Sequence, residues 1–302
     1  MVNRRTFIRS TALASGGFMS FGFQPPPKPK LDKSLNLQIL ATNWGFEGTP
    51  ESFCKKAKNE GYDGVEIWVP RDQAVREAYF NAIAKNNLSY GLLAGNWGAS
   101  FDENYEVFQS QIETAAELKP LFVNCHSGKD FFSPEQNQKF IDYGSLTSKR
   151  TGVPVYHETH RGRVLFAAEV SKNYLRANPE LRLTLDISHW CCVSESLLED
   201  QNDAVNEALD RTDHIHSRVG FAEGPQIPDP RAPEFKMAVD THFGWWDSVA
   251  QLKIQRNESL TMTTEFGPPG YMWTLPYTKQ PVADLWAVNA HMMRLWRERY
   301  QS

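Results

Sequence analysis

From residue 36 onward the chain alternates short apolar runs with longer amphipathic ones, and this rhythm constrains the fold more than any other feature. Apolar runs of ~4–8 residues between turn signals read as buried strands, and the longer stretches between them as helices. Strands alternating with helices build βα units and a parallel sheet. The strands fall at Leu37 to Thr42, Gly64 to Val69, Ser89 to Ala94, Leu121 to Cys125, Val155 to Thr159, Arg182 to Ile187, His214 to Arg218 and Leu260 to Phe266. Helices run from about Pro50 to Glu60, stopped by Gly61, from near Arg71, and from Phe101 to Leu118. Another opens at Pro134, a residue suited to the first helical position, and the last runs from Pro281 to Tyr300.

Eight such units predict an α/β protein, a (β/α)8 TIM barrel in a single domain over residues 31–302. A barrel of this kind typically needs ~250 residues, which the chain supplies. A doubly wound open sheet is the alternative, but no Gly-x-Gly-x-x-Gly follows the first strand. The seventh strand-to-helix connection is long, about Gly220 to Asp240, and rich in Pro, Gly and Asp. Loops of that length are usually functional or disordered.

Residues 1–30 read as something else. Asn3-Arg4-Arg5-Thr6-Phe7-Ile8-Arg9 gives a basic start, Ser10 to Phe23 is mildly apolar, and Gln24 to Lys30 is a stiff, proline-rich linker. That pattern is an export signal, too short for a membrane span of ~20 apolar residues. The paired Arg4 and Arg5 before Thr-Phe-Ile resemble a twin-arginine signal. We expect an exported, for example periplasmic, protein with no membrane attachment once the signal is removed. An oxidising compartment permits disulfides, but the adjacent Cys191 and Cys192 are expected to remain thiols, and no Cys-x-x-Cys marks a thiolate zinc site.

Five of the lysines and arginines lie in the first thirty residues, which hold no acidic residue, so the remainder is markedly acidic within a net formal charge of −4. Such a balance disfavours a nucleic-acid partner. It leaves a homo-oligomer open. Nine Trp stand in the chain; aromatic rings stack on the apolar faces of sugars, although most pack in cores.

Chemistry concentrates where strands end. The fourth ends in Asn124-Cys-His126, the fifth in His157-Glu158-Thr-His160, and the sixth in Asp186-Ile-Ser-His189. The seventh carries His214-Ile-His216-Ser-Arg218 and the eighth ends in Thr264-Glu265. Active sites of TIM barrels sit at the C-terminal strand ends. Buried carboxylates are costly unless paired or on a metal, so their joint occurrence points to a metal site. Singly, His157, His214 and Glu66 read as structural polar residues inside the barrel. Strand alternation puts His214 and His216 on one side, and the one nearer the C-terminal end, His216, is the better ligand. An oxygen-rich donor set with one imidazole suits Mn²⁺, Co²⁺ or Mg²⁺, with Zn²⁺ also accommodated.

The residues Gly64-Val-Glu66, His157-Glu158, Asp186-Ile-Ser-His189, His214-Ile-His216 and Glu265 resemble the xylose-isomerase-like TIM-barrel superfamily, over roughly residues 36–300. That grouping includes sugar and sugar-phosphate isomerases, ketose 3-epimerases and endonuclease-IV-like enzymes. The resemblance implies one divalent metal on Glu158, Asp186, His216 and Glu265, with His189 and Arg218 contacting substrate. His126, His160, His242 and Trp44 complete the candidate substrate-binding residues.

It further implies a carbohydrate substrate and a sugar isomerase or epimerase. A divalent metal spreads the charge left when a proton departs next to a carbonyl, and Glu158 and Glu265, the candidate catalytic pair, act as acid and base. The same parts serve β-elimination from a 3-keto-glycoside. Endonuclease-IV-like chemistry, with extra ligands from His126, His189, Asp240 and His242, is a less favoured alternative, as is a metal-less sugar-binding barrel.

Overall fold

The computed structural model describes residues 35–301; the export-signal reading, on residues 1–30, lies outside them. Eight strands form one closed barrel in chain order. They are β1 (Leu37–Thr42), β2 (Gly64–Trp68), β3 (Ser89–Gly95), β4 (Val123–His126), β5 (Val155–Glu158), β6 (Leu183–Leu185), β7 (Thr212–His216) and β8 (Leu260–Thr264). Every neighbouring pair is parallel, and β8 closes on β1 with Leu37 opposite Leu260. The single-domain (β/α)8 barrel is therefore the architecture the alternation predicts.

Local chemistry explains the helix ends. Thr49 caps Pro50–Glu60 by accepting from Ser52 N, and Gly61 ends it with φ 105°, a left-handed conformation that glycine adopts without Cβ strain. Phe101–Glu117 and Pro134–Thr151 both open with capping boxes, Ser100 with Glu103 and Ser133 with Gln136. In each, two backbone N–H groups that the helix cannot satisfy find side-chain partners.

The structure corrects some boundaries. The seventh strand starts two residues earlier than read and stops at His216. A register irregularity between Leu183 and Thr184 opposes them to Thr212 and His214, so β6 is short and Arg218 lies in the loop beyond β7. Two helices, Ser188–Ser194 and Asn202–Asp210, join β6 to β7. The long connection after β7 ends sooner than expected: Pro233–Phe235 is a short 3-10 turn and the helix Lys236–Arg256 already contains Asp240. The last helix starts at Leu285, capped by Asp284. Cys54, Cys125, Cys191 and Cys192 are all unpaired. Among the described residues no helix is long and apolar enough to cross a membrane.

Inside the barrel the side chains form layers, as the two-residue period of strands requires. The floor is aromatic. Phe122 lies 4.2 Å, ring to ring, from His214 and 5.6 Å from Tyr156. Gly91 makes room for it, since a Cβ there would stand 2.4 Å from the Phe122 ring. Above this floor the interior turns polar, with Glu66, Asn124, His216 and Thr263 all buried. The acidic strand ends sit on top of that layer.

Candidate active site

Glu158, Asp186, His216 and Glu265 leave the C-terminal ends of β5 to β8 and converge, with one ligating atom from each all within 4.8 Å of one another. All four are buried, Glu265 the least at 8% exposure. Glu158 Oε1, His216 Nδ1 and Glu265 Oε2 have no hydrogen-bond partner. His216 Nδ1 nonetheless lies 2.9 Å from Glu265 Oε2 and 3.6 Å from Glu158 Oε2. Unpartnered buried donor atoms normally cost free energy. Here they crowd round one point, which is how side chains stand around a cation. Three carboxylates and one imidazole form the hard donor set of Mn²⁺, Co²⁺ or Mg²⁺, so these residues fit a divalent metal.

The electrostatics fit as well. Burial pulls His216 toward the neutral form, but Glu265, Glu66 and Glu158 more than offset it and hold its pKa well above the usual value. Burial pushes Asp186 up to about 7, with the charges of Glu265 and Glu158 adding to it and Arg218 opposing. Burial would raise Glu158 too, yet His126 and His216 hold it well below the normal carboxylate range. The cluster thus concentrates negative charge and draws protons to it, and a cation relieves the same repulsion.

Beneath the cluster, Glu66 accepts from Thr263 Oγ1 at 2.5 Å and lies 3.0 Å from His216 Nε2 and 3.2 Å from His214 Nε2. Burial would raise its pKa, but His216 and His214 outweigh that and keep it ionised. A carboxylate only accepts, so in the neutral ring Nε2 carries the proton and Nδ1 turns its lone pair to the cluster. Such a partner sets both the tautomer and the ring angle of a ligating histidine, and losing one typically costs 10–100-fold in metal affinity. We expect Glu66→Gln to weaken metal binding by roughly that range, read by competition with a metal-sensitive chelating dye; unchanged affinity would show that the pairing is packing alone. Asn124 supports Glu158 in the same way, donating to Oε2 at 2.8 Å.

A cavity of about 290 Å³ opens beside the cluster, walled by Trp44, Trp68, His126, His160, Arg163, Arg218, Glu265 and Tyr271. Its size lies at the lower end of ligand sites, which suits a single sugar ring. Trp44 and Tyr271 meet edge to face at 5.0 Å, and Trp68 meets His126 in the same manner at 5.0 Å. Arg218 packs its guanidinium 4.6 Å from the Tyr271 ring centre and 5.8 Å from that of Trp44. A larger cavity, about 790 Å³, opens at the N-terminal end of the barrel around Arg182, Asp213, Lys253 and Glu258. Its charges are paired with one another, and that end of a TIM barrel serves stability rather than chemistry.

Of the residues read from sequence, the structure brings Trp44, His126, His160, Arg218 and Glu265 onto one cavity wall. His126 also lies 2.9 Å from Glu158 Oε2. His189 is fully buried behind the wall, 2.8 Å from Arg218 Nη2 and with its ring tilted against His160 at 3.8 Å between centroids. It touches the machinery rather than the open space. His242 is a correction: it sits in the helix Lys236–Arg256, its Nε2 accepting from Gly220 N at 3.1 Å and its Nδ1 2.8 Å from Ala238 O. Both ring nitrogens are committed to backbone, so His242 tethers the loop after β7 and does not reach the cavity. Asp240 pairs with Lys236 on the same helix. His157 and His214 are buried with side-chain partners, Ser127 Oγ at 2.6 Å and Thr261 Oγ1 at 2.7 Å.

Sequence reasoning did not single out Trp68, Arg163, Tyr271 or Asn124 as site residues. Trp68 follows Glu66 by two positions on a strand, a spacing that places it on the same face. Tyr271 comes from the irregular loop after β8, where no periodicity exists to read.

The fold and the cluster together define a (β/α)8 barrel with an acid-rich centre at the C-terminal strand ends. No family model and no curated protein matches the chain. Among solved structures it is similar to 3-keto-D-glucoside 4-epimerase from E. coli, at 16% identity and a TM-score of 0.59 over 87% of this chain and 99% of that one. It is similar also to a probable 3-DHS dehydratase from Bacillus anthracis, at 15% identity and a TM-score of 0.56 over 87% and 99%. A family 2 AP endonuclease from Brucella melitensis shares the fold at 15% identity and a TM-score of 0.51 over 77% and 94%. Other neighbours carry the name sugar phosphate isomerase/epimerase. At these identities the likeness is one of fold.

Proposed function

We propose that the chain is a divalent-metal-dependent sugar isomerase or epimerase that removes a proton next to a carbonyl. One observation carries the reading: the unpartnered, convergent donor atoms of Glu158, His216 and Glu265, with Asp186, beside a small aromatic-walled cavity. Glu158, Asp186, His216 and Glu265 hold the metal, which when bound stabilises negative charge developing on the substrate's oxygens. Glu265, on the cavity wall, takes the proton. Glu158, which accepts from Asn124, is the second carboxylate; for epimerisation it first takes a proton, for which His126 Nε2 stands 2.9 Å from its Oε2, and gives that proton to the carbanion, while Glu265 releases its own to solvent. Trp44 and Tyr271 offer faces for the sugar ring, and Arg218 fixes its polar edge.

A second reading is β-elimination from a 3-keto-glycoside. His126 stands on the wall beside Glu158 and offers a proton to a leaving group. The endonuclease reading loses two of its supposed ligands, since Asp240 pairs with Lys236 and His242 is held by the Gly220 and Ala238 backbone.

The test is proton exchange. In deuterated water with added Mn²⁺, a panel of free ketoses, aldoses and 3-keto-glycosides should include one that acquires deuterium next to its carbonyl. Loss of the leaving group with that exchange indicates the lyase. Conversion of a sugar with no exchange under any condition would argue against proton abstraction and for a hydride shift.

A further inference from the structure

We propose that Gln226 and Asn289 are positioning residues: their side-chain amides clamp the backbone of Phe266 and Gly267, and so aim Glu265 and fix the ring of Trp44 on the cavity wall. This rests on the reading of Glu265 as the group that takes the proton. The ladder joining β8 to β1 ends at Thr264, opposite Ala41, and that joining β8 to β7 ends at Thr263. Glu265, Phe266 and Gly267 run on past both. Two side-chain amides hold them there. Phe266 N donates to Asn289 Oδ1 at 2.9 Å, and Asn289 Nδ2 donates to Phe266 O at 3.0 Å. Gly267 N donates to Gln226 Oε1 at 2.7 Å, and Gln226 Nε2 donates to Gly267 O at 3.3 Å. Each amide thus matches its donor and acceptor to the acceptor and donor of one residue, which fixes direction as well as distance. Both side chains are buried, so bulk water does not compete for these bonds.

The two clamps come from different parts of the chain. Asn289 stands on the helix Leu285–Tyr300. Gln226 stands in the long connection after β7, with Pro225 before it and Pro228 two residues on. Proline fixes its own φ, and the loop is braced further: Ile227 N donates to Val219 O at 2.9 Å, and Gly220 N donates to His242. The glutamine is therefore delivered on a stiff backbone. Two side chains of the site depend on what is clamped. Glu265 directly precedes Phe266, and its Oε2 has no hydrogen-bond partner among the described residues. The charges of His216 and Arg218 attract it, but charge attraction alone sets little direction, so its aim comes from its backbone. Trp44 lies so close to Gly267 that a Cβ there would stand 2.5 Å from the indole ring. Buried peptide groups need partners in any fold; these partners act on the two residues that follow the base. Catalytic groups work when held within ~0.5 Å, and a misplacement of about 1 Å can cost ~10²-fold in rate.

Two near-isosteric variants of the full chain test this, Gln226→Met and Asn289→Leu, each removing one amide. Crystal structures of the metal-free proteins should show the Glu265 carboxylate and the Trp44 ring displaced by more than ~0.5 Å from wild type, with β8 and the helix Leu285–Tyr300 in place. At saturating Mn²⁺, with the sugar that exchanges hydrogen in deuterated water, kcat should fall ~10²-fold and KM should change less. A lowered melting temperature with kcat and the Glu265 position unchanged would make the amides structural and overturn the proposal. If one variant does not fold, the other decides; if neither folds, the amides serve stability and the proposal falls. If no sugar is converted by the wild type, the isomerase reading fails, and the crystal structures still decide whether the amides position Glu265.

Discussion

Glu265→Gln should lower turnover by ~10²–10⁴-fold at saturating metal, the usual contribution of a general acid–base group. Among the four clustered residues Glu265 alone lines the cavity, and its Oε2 has no hydrogen-bond partner. Glutamine preserves the shape and one oxygen, so it still ligates weakly, but a carboxamide does not accept the substrate's proton. A role in metal binding alone predicts recovery when the metal concentration is raised. A role in proton transfer predicts none, and the variant should also stop exchanging substrate hydrogen with deuterated solvent. Steady-state kinetics across a metal titration separates the two. Full recovery would leave Glu265 a ligand only, as a hydride-shift isomerisation requires.

Arg218→Met should destabilise the metal-free protein by ~3–5 kcal/mol, the cost of removing one partner from a buried ion pair. Asp186 and Arg218 are 0% and 1% exposed. The pair touches directly; among the described residues Ser188 also donates to the Asp186 carboxylate, His189 lies 3.5 Å away, and the charge of His216 favours the ionised form. Methionine keeps a side chain of similar length but removes the charge, leaving a carboxylate buried beside Glu158 and Glu265. Metal should return much of the loss, because a cation in the cluster opposes the same charge. Urea unfolding with chelator and with Mn²⁺ measures both quantities. Equal, small losses in the two conditions would mean that the pair contributes little and that metal does not face Asp186.

Most of the barrel was legible because a strand buried on both faces must be apolar and a helix covering it must be amphipathic. Leu37–Thr42 and Pro50–Glu60 come out with the limits the sequence suggests, since Thr49, Pro50 and Gly61 are local punctuation. The β6–β7 region was less legible: its shifted register depends on how two strands meet across the helices and loops of residues 186–211, which no local pattern records. In the site, strand alternation placed His214 and His216 together and depth favoured His216. His242 was misjudged because a histidine after a long loop looks available, whereas its helix buries it against Trp245 and Trp246. Arg163 escaped notice because a loop arginine's place on a cavity wall is recognisable only in three dimensions.

The central claim is that Glu158, Asp186, His216 and Glu265 hold one divalent ion. Elemental analysis of the purified chain, stripped with chelator, reloaded with Mn²⁺, Co²⁺, Mg²⁺ or Zn²⁺ in turn and desalted, tests it directly. The account predicts one ion per chain with at least one of these metals, and its loss in Glu158→Gln and in Asp186→Asn variants that remain folded by circular dichroism. No retained metal in the wild-type protein, or full retention in both variants, would contradict it.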